Sequence, residues 1–301
     1  MSQTRTPDEA PPTGSDHLEA GILGVSDLVF FVVAAAAPLT VMAGVAPLAI
    51  QFNGLGAPGG YLFAGIVLTL FAVGFTTMSR FVTNAGAFYA YIARGLGKPL
   101  GVGAALLAVF SYNAIEIGLA GALAFFAATT IEDLFGVATR WEIWAFLSIA
   151  LIGWLGYRRV TLSAKVLGVA LGLEVAILLV LAIPVLLTGG AAGFAFESFA
   201  PQNIFASGVG AVFALSFAAF IGFEATAIYA EEARDPGRTV PLATYIAVGF
   251  LALFHTLITW TIIIAFGPER ALSVAQQDPE GMFFTAATDY VGRWASVSCA
   301  C

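Results

Sequence analysis

The residues with the most chemistry to offer stand inside apolar runs. Glu224 follows Gly222 by two positions in Val209–Ala230, a run that ends in the charged turn Glu231-Glu232-Ala233-Arg234-Asp235-Pro236-Gly237-Arg238. A carboxylate in the hydrocarbon of a bilayer costs roughly 2.5–3.5 kcal/mol on insertion scales, so it marks a functional site by default. Burial disfavours the charged form of a carboxyl, which suits Glu224 to gating or to carrying a proton. Its other reading is a structural Glu that ties helices together. Glu174 lies in Val166–Leu187 and is open to the same two readings. Glu116 sits mid-way through Leu100–Phe126, with Asn113 one helical turn away and Tyr112 on the same side. These three either shape a pocket for a basic or amine substrate or form a structural polar cluster. His255, in Leu242–Phe266, reads as a core histidine or as a proton relay.

Other chemistries find no support. Cys299 and Cys301, both in the last three residues, make neither a disulfide framework nor a metal-ligand spacing. No His/Asp metal cluster or nucleophile–base pair stands at the ends of the runs, so no metal or cofactor is expected and the chain is not read as an enzyme. No basic stripe exists for nucleic acid.

The elements that must position these residues are membrane helices. Of 301 residues, 59% are hydrophobic and 10% charged, against about 25% charged in soluble domains. The mean hydropathy is +0.92. A span needs about 20 residues. The pattern predicts spans over Leu28–Ile50, Gly60–Met78, Leu100–Phe126, Trp141–Tyr157, Val166–Leu187, Val209–Ala230 and Leu242–Phe266, with an eighth beginning near Val291. Residues 1–24 are polar, without the basic and apolar regions of a signal peptide, and are expected to be a disordered cytoplasmic tail.

Charge sets the orientation. With the amino terminus inside, nine Lys and Arg fall in cytoplasmic segments: Arg5, Arg80, Arg94, Lys98, Arg158, Arg159, Lys165, Arg234 and Arg238. Arg140, Arg270 and Arg293 fall outside. Nine against three follows the positive-inside rule. Between spans, Arg80–Pro99 is expected to hold a short interfacial helix with Tyr89, Tyr91 and Arg94. Gly189–Ser207 is a re-entrant or interfacial piece or an ordinary loop.

Two spans carry interruptions. The first contains Pro38, Gly44 and Pro47, and proline removes a donor and clashes with the preceding turn, so its helix is expected to open between Pro38 and Gly44. The sixth has its weak point at Gly222. Paired interrupted segments point to a binding site near the membrane midplane. These two lie five spans apart and so enter from opposite sides, which is the geometry of an inverted repeat.

Three motifs carry a family likeness: Phe217 and Phe220 to Glu224 with Glu231-Glu232, Asp235-Pro236, Arg238, Pro241 and Ala243; Asn84-Ala85-Gly86-Ala87-Phe88-Tyr89-Ala90-Tyr91; and Ser163-Ala164-Lys165-Val166. With the general layout, from about Val25 to Phe266, the chain resembles the amino acid–polyamine–organocation (APC) superfamily of amino acid permeases. The resemblance implies an all-α, polytopic membrane helical bundle with a five-plus-five inverted-repeat transporter fold, usually of twelve spans. On that plan residues 25–190 are the first repeat, with five transmembrane helices. Residues 191–301 begin the second, with two and an incomplete third. A chain that stops after seven spans is expected to be truncated, or to draw its partner helices from elsewhere.

The function implied is secondary active transport of amino acids or related amines across the plasma membrane, coupled to protons or by exchange. The alternatives are a non-functional fragment of such a permease and a seven-helix receptor. The receptor reading is opposed by an inside amino terminus and by a seventh span without lysine. For an amino acid, free N–H groups of Val41, Met42, Ala43 and Gly44 at the opened first span suit the carboxylate, with Thr40 near. Free carbonyls of Phe217, Ala218 and Ile221, beside Gly222, suit the ammonium. Phe220, with Phe217 and Phe223, is a candidate gate or simple packing. Two departures stand out. Where the family often has Gly-Ser/Thr-Gly this chain has Met42-Ala43-Gly44, and where part of the family has a lysine in the fifth span it has Glu174.

Overall fold

The computed structural model describes residues 21–82, 86–158 and 164–292. The motif residues Asn84, Ala85 and Ser163, together with Arg5, Arg159, Arg293, Cys299, Cys301 and the first twenty residues, lie outside the described residues.

The described chain is all-α and polytopic. Its main helices are α1 (Val25–Ala36), α2 (Ala46–Asn53), α3 (Ala57–Ser79), α4 (Ala87–Leu96), α5 (Lys98–Phe135), α6 (Trp141–Tyr157), α7 (Ala164–Thr188), α8 (Val209–Ala218), α9 (Pro236–Phe266), α10 (Pro268–Gln277) and α11 (Pro279–Tyr290). Among the described residues, four helical stretches are long and apolar enough to cross a membrane: Val25–Ser79, Lys98–Glu132, Val166–Thr188 and Pro236–Phe266. The first of these holds both the first and second expected spans. The apolar helices α6 and α8 are shorter.

Helix α9 is the axis of the packing. It is buried along most of its length and lies against α3 and α1. The approach to α3 is close because Gly65 faces Ala252: a Cβ at Gly65 would overlap the alanine methyl. Three buried clusters follow from this axis. One gathers α2, α7, the far end of α9, α10 and α11 around Ile50, Leu181, Ile262 and Phe283. A second joins Val32, Phe75, Phe220, Phe223 and Leu251. A third joins Leu28, Ala230, Ala233, Val240 and Ala243 at the end where α1 begins.

Helix α6 and most of α5 lie outside this core; α5 reaches it where Ala124 and Ala128 are buried and the Phe126 ring meets Phe284 of α11. No residue of α6 is buried, and large apolar side chains such as Phe110, Ile117, Phe146 and Ile152 are more than half exposed. Apolar surface on this scale marks contact with lipid or with other protein rather than with water. The 38 residues of α5 run about 57 Å at 1.5 Å per residue, so the helix extends past the expected end of the span at Phe126, as far as Phe135. The short helix expected between Arg80 and Pro99 is α4. Residues 189–207 fold as turns with two short pieces, Phe196–Phe199 and Pro201–Ile204, neither long enough to cross a membrane. Asn53 Nδ2 pins this segment by donating to the carbonyls of Asn203 at 3.2 Å and Ile204 at 3.1 Å.

Candidate functional site

Both interrupted spans are broken, and the first break falls earlier than the sequence suggests. Helix α1 ends at Ala36, Ala37 is left-handed at φ 43° and ψ 69°, and a new helical segment starts at Pro38. A residue before proline is steered out of the right-handed helical region. Proline itself fits the first position of a helix, where no N–H is needed. Val41–Val45, inside the expected window, form a π-helical turn rather than an open segment. The donor that the break exposes is therefore the N–H of Leu39, not those of Val41 to Gly44. It donates to Glu174 Oε2 at 3.3 Å. Glu174, half-buried in α7, thus caps the second half of the first span.

The sixth span breaks over Ala219–Glu224, between α8 and the short helix Ala225–Ile228. Gly222 sits at φ +102°, a conformation that side-chain-bearing residues rarely adopt. Glu224 is 6% exposed, and its Oε2 accepts from the Gly222 N–H at 3.1 Å. Each break is thus capped by a carboxylate. The carbonyls of Phe217 and Ala218 already accept turn bonds from Phe220 and Ile221, at 3.1 Å each. The Ile221 carbonyl has no donor among the described residues. Below the break, Thr226 Oγ1 and Thr244 Oγ1 meet at 2.8 Å and fasten the short helix to α9.

The two breaks touch. A Cβ on Gly222 would lie 2.7 Å from the Cβ of Ala35, two residues before the turn at Ala37. The other expected residues of the two broken spans are placed as follows. Thr40 and Val41 are half-buried, while Met42 and Ala43 are buried, with Met42 Sδ accepting from Thr259 Oγ1 at 3.6 Å. A Cβ at Gly44 would meet nothing within 4 Å, so this residue borders open space. Phe217 and Ile221 are half-buried and Ala218 is exposed. Phe220 is fully buried against His255, whose ring it meets edge-on at 5.9 Å; Tyr61 flanks the imidazole at the same distance. Neither nitrogen of His255 has a partner among the described residues. Phe223 belongs to an aromatic cluster with Phe71, Phe75 and Phe88.

Other expected residues lie elsewhere. Tyr112, Asn113 and Glu116 are exposed on α5, and Asn113 Nδ2 is turned back to the carbonyl of Val109 at 2.7 Å. No hydrogen bond or ion pair joins them to the breaks among the described residues. No group of three or more metal-ligating side chains exists among the described residues either. Sequence reasoning missed Leu39, Ala35 and the Thr226–Thr244 pair. The Ala37-Pro38 dipeptide was the available signal for the first of these.

A chain of crossing apolar helices, two of them broken where they touch, with the half-buried Glu174 and the buried Glu224 on freed backbone N–H groups, defines the class: an all-α, multi-pass membrane protein of the transporter type. The comparisons narrow it. The amino acid permease family model matches residues 27–290, and the chain belongs to that family. It is 25% identical to an uncharacterized transporter of Rhizobium meliloti over 214 residues, which is 70% of this chain and 46% of that protein. It is 37% identical to an uncharacterized transporter of Mycobacterium tuberculosis over 68 residues, 23% of this chain and 16% of the relative. The chain spans less than half the length of these curated relatives.

Proposed function

We propose that the chain is the part of a secondary active permease that holds the substrate between its two breaks. The substrate is an amino acid or a related amine, moved across the plasma membrane with the amino terminus in the cytoplasm. The observation that supports this reading is the contact of Ala35 with Gly222, which joins the two broken spans at their breaks. A half-helix amino terminus favours an anion, and the Leu39 N–H, with the Thr40 hydroxyl and the Val41–Gly44 turn near it, would meet a carboxylate. The Ile221 carbonyl, without a donor among the described residues, lies beside Phe217, Ala218 and Gly222 and would meet an ammonium. Phe220 gates this side. The five-plus-five repeat, with residues 25–190 as the first repeat and 191–301 as the start of the second, accounts for two breaks of opposite direction.

Protons are the proposed coupling partner. Glu174 occupies the Leu39 donor that an incoming carboxylate needs, and two carboxylates on one site cannot both stay ionised. Proton uptake by Glu174 would release the donor to the substrate. Glu224 holds the matching position at the other break, where protonation would loosen its hold on the Gly222 N–H. Glu116, with Asn113, is the third candidate and would act only once other helices cover its face of α5. The lipid bilayer is the remaining partner.

The test is uptake of labelled amino acids and amines into proteoliposomes, with and without an imposed pH gradient. The reading expects saturable uptake that the gradient stimulates, and loss of that stimulation in Glu224→Gln or Glu174→Gln. Failure of every amino acid and amine pool to enter would overturn it.

A further inference from the structure

Polar side chains behind Phe220 are buried in a place where the transport reading gives them no task. His255 of α9, Tyr61 of α3 and Ser216 of α8 are all fully buried. Helix α3 packs against both α8 and α9, and its Gly60–Tyr61 pair meets both neighbours. A Cβ at Gly60 would lie 3.0 Å from Ser216 Oγ, and the Tyr61 ring meets the imidazole edge-on at 5.9 Å. The Phe220 ring, one turn on from Ser216, meets the imidazole at the same distance. One turn along α9 from His255, the Thr259 hydroxyl spends its proton on Met42 Sδ at 3.6 Å.

The polar atoms of this cluster lack partners. His255 Nδ1 and Nε2 and Ser216 Oγ have no hydrogen bond among the described residues. Tyr61 Oη faces Thr259 but makes no bond of good geometry either. A neutral imidazole calls for one acceptor and one donor, and a hydroxyl can both give and take. Leaving such groups unmade costs their full desolvation penalty. In folded proteins, buried polar groups left in this way are the ones that hold internal water, with about three bonds to each molecule.

Charge narrows the ligand class. Residues 57–79, 209–218 and 239–266 contain no Asp, Glu, Lys or Arg. The carboxylate of Glu224, past Phe220, is turned to the Gly222 N–H. A cation would find no anionic ligand in the cluster, and an ion buried without a partner is costly. A small neutral molecule that both donates and accepts meets every group.

We propose that His255, Ser216 and Tyr61 form a site for internal water, which joins α3, α8 and α9 behind Phe220. His255 anchors it, since both of its nitrogens need the water. The site stands on packing and hydrogen bonding and does not depend on the transport reading.

The chain has two histidines, His17 and His255, so His17→Gln leaves a single imidazole. The full chain with that substitution is labelled with 15N-histidine, reconstituted in lipid bilayers and read by solid-state NMR with the magnetisation started on water. The backbone amide of His255, inside α9, is the internal reference. The expected result is that the ring nitrogens receive magnetisation from water ahead of that amide. Ser216→Ala and Tyr61→Phe, which remove only hydroxyls, are expected to shift the ring signals. Ring nitrogens that lag behind the amide overturn the site, as does an imidazole that neither substitution moves. Stability gives an independent sign. In reversible unfolding in mixed micelles, Ser216→Ala should lower the folded-to-unfolded ratio roughly 2- to 10-fold, the loss of one ordinary hydrogen bond. Removing a dry, unpartnered hydroxyl would raise that ratio, and a rise overturns the site.

Discussion

Gly222→Ala probes the contact on which the site is built. The first cost is conformational: a φ of +102° is open to glycine and strained for alanine, by about 1–3 kcal/mol. The second is steric, because the new methyl would lie 2.7 Å from the Cβ of Ala35, and overpacking of this kind costs about 1–3 kcal/mol. The substitution should therefore destabilise by about 2–6 kcal/mol, a large fraction of a typical domain's stability. The two terms can be separated. Ala35→Gly removes the methyl that is struck and costs about 1 kcal/mol in helix propensity, but it leaves φ at 222 unchanged. In a double-mutant cycle, measured by reversible unfolding in mixed micelles, the pair should be more stable than the sum of the singles by about 1–3 kcal/mol. If the two substitutions add without coupling, the breaks do not touch and the site as described is wrong.

Three further outcomes follow from individual bonds. Glu174→Leu strands the Leu39 N–H and should cost about 1–3 kcal/mol, with faster hydrogen exchange at Leu39; Glu174→Gln, which keeps an acceptor, should cost less, and equal effects would remove Glu174 from the break. Asn53→Ala loses the bonds to Asn203 and Ile204 and should cost about 1–3 kcal/mol. It should also open 196–204 to limited proteolysis, and an unchanged cleavage rate would refute the pin. Ala37→Gly relieves a left-handed alanine and should gain up to about 1 kcal/mol; a clear loss of stability would show that the turn is not strained.

The sequence made the helices legible because a bilayer leaves one solution for long apolar runs, in which the backbone bonds to itself. The break in the sixth span was legible because Gly222 and Glu224 are both misplaced in an ordinary helix. The first break was located a few residues late, since Gly44 drew attention that belonged to the Ala37-Pro38 pair. What could not be read were the partnerships across the fold. Leu39 meets Glu174 across 135 positions, and Leu23 meets Ala233 from still farther, with no local pattern announcing either. Asn113 and Glu116 show the limit from another side. Their spacing places them together on a helix, but α5 is apolar all round, so nothing in its period says which face turns toward the breaks.

The claim that the substrate lies between the breaks can be tested at Gly44, which borders open space. In a Cys299→Ser, Cys301→Ser background, Gly44→Cys should react with a small maleimide in nanodiscs, and the account predicts that at least one amino acid or amine slows the reaction saturably. A rate unchanged by every amino acid and amine tried would contradict it.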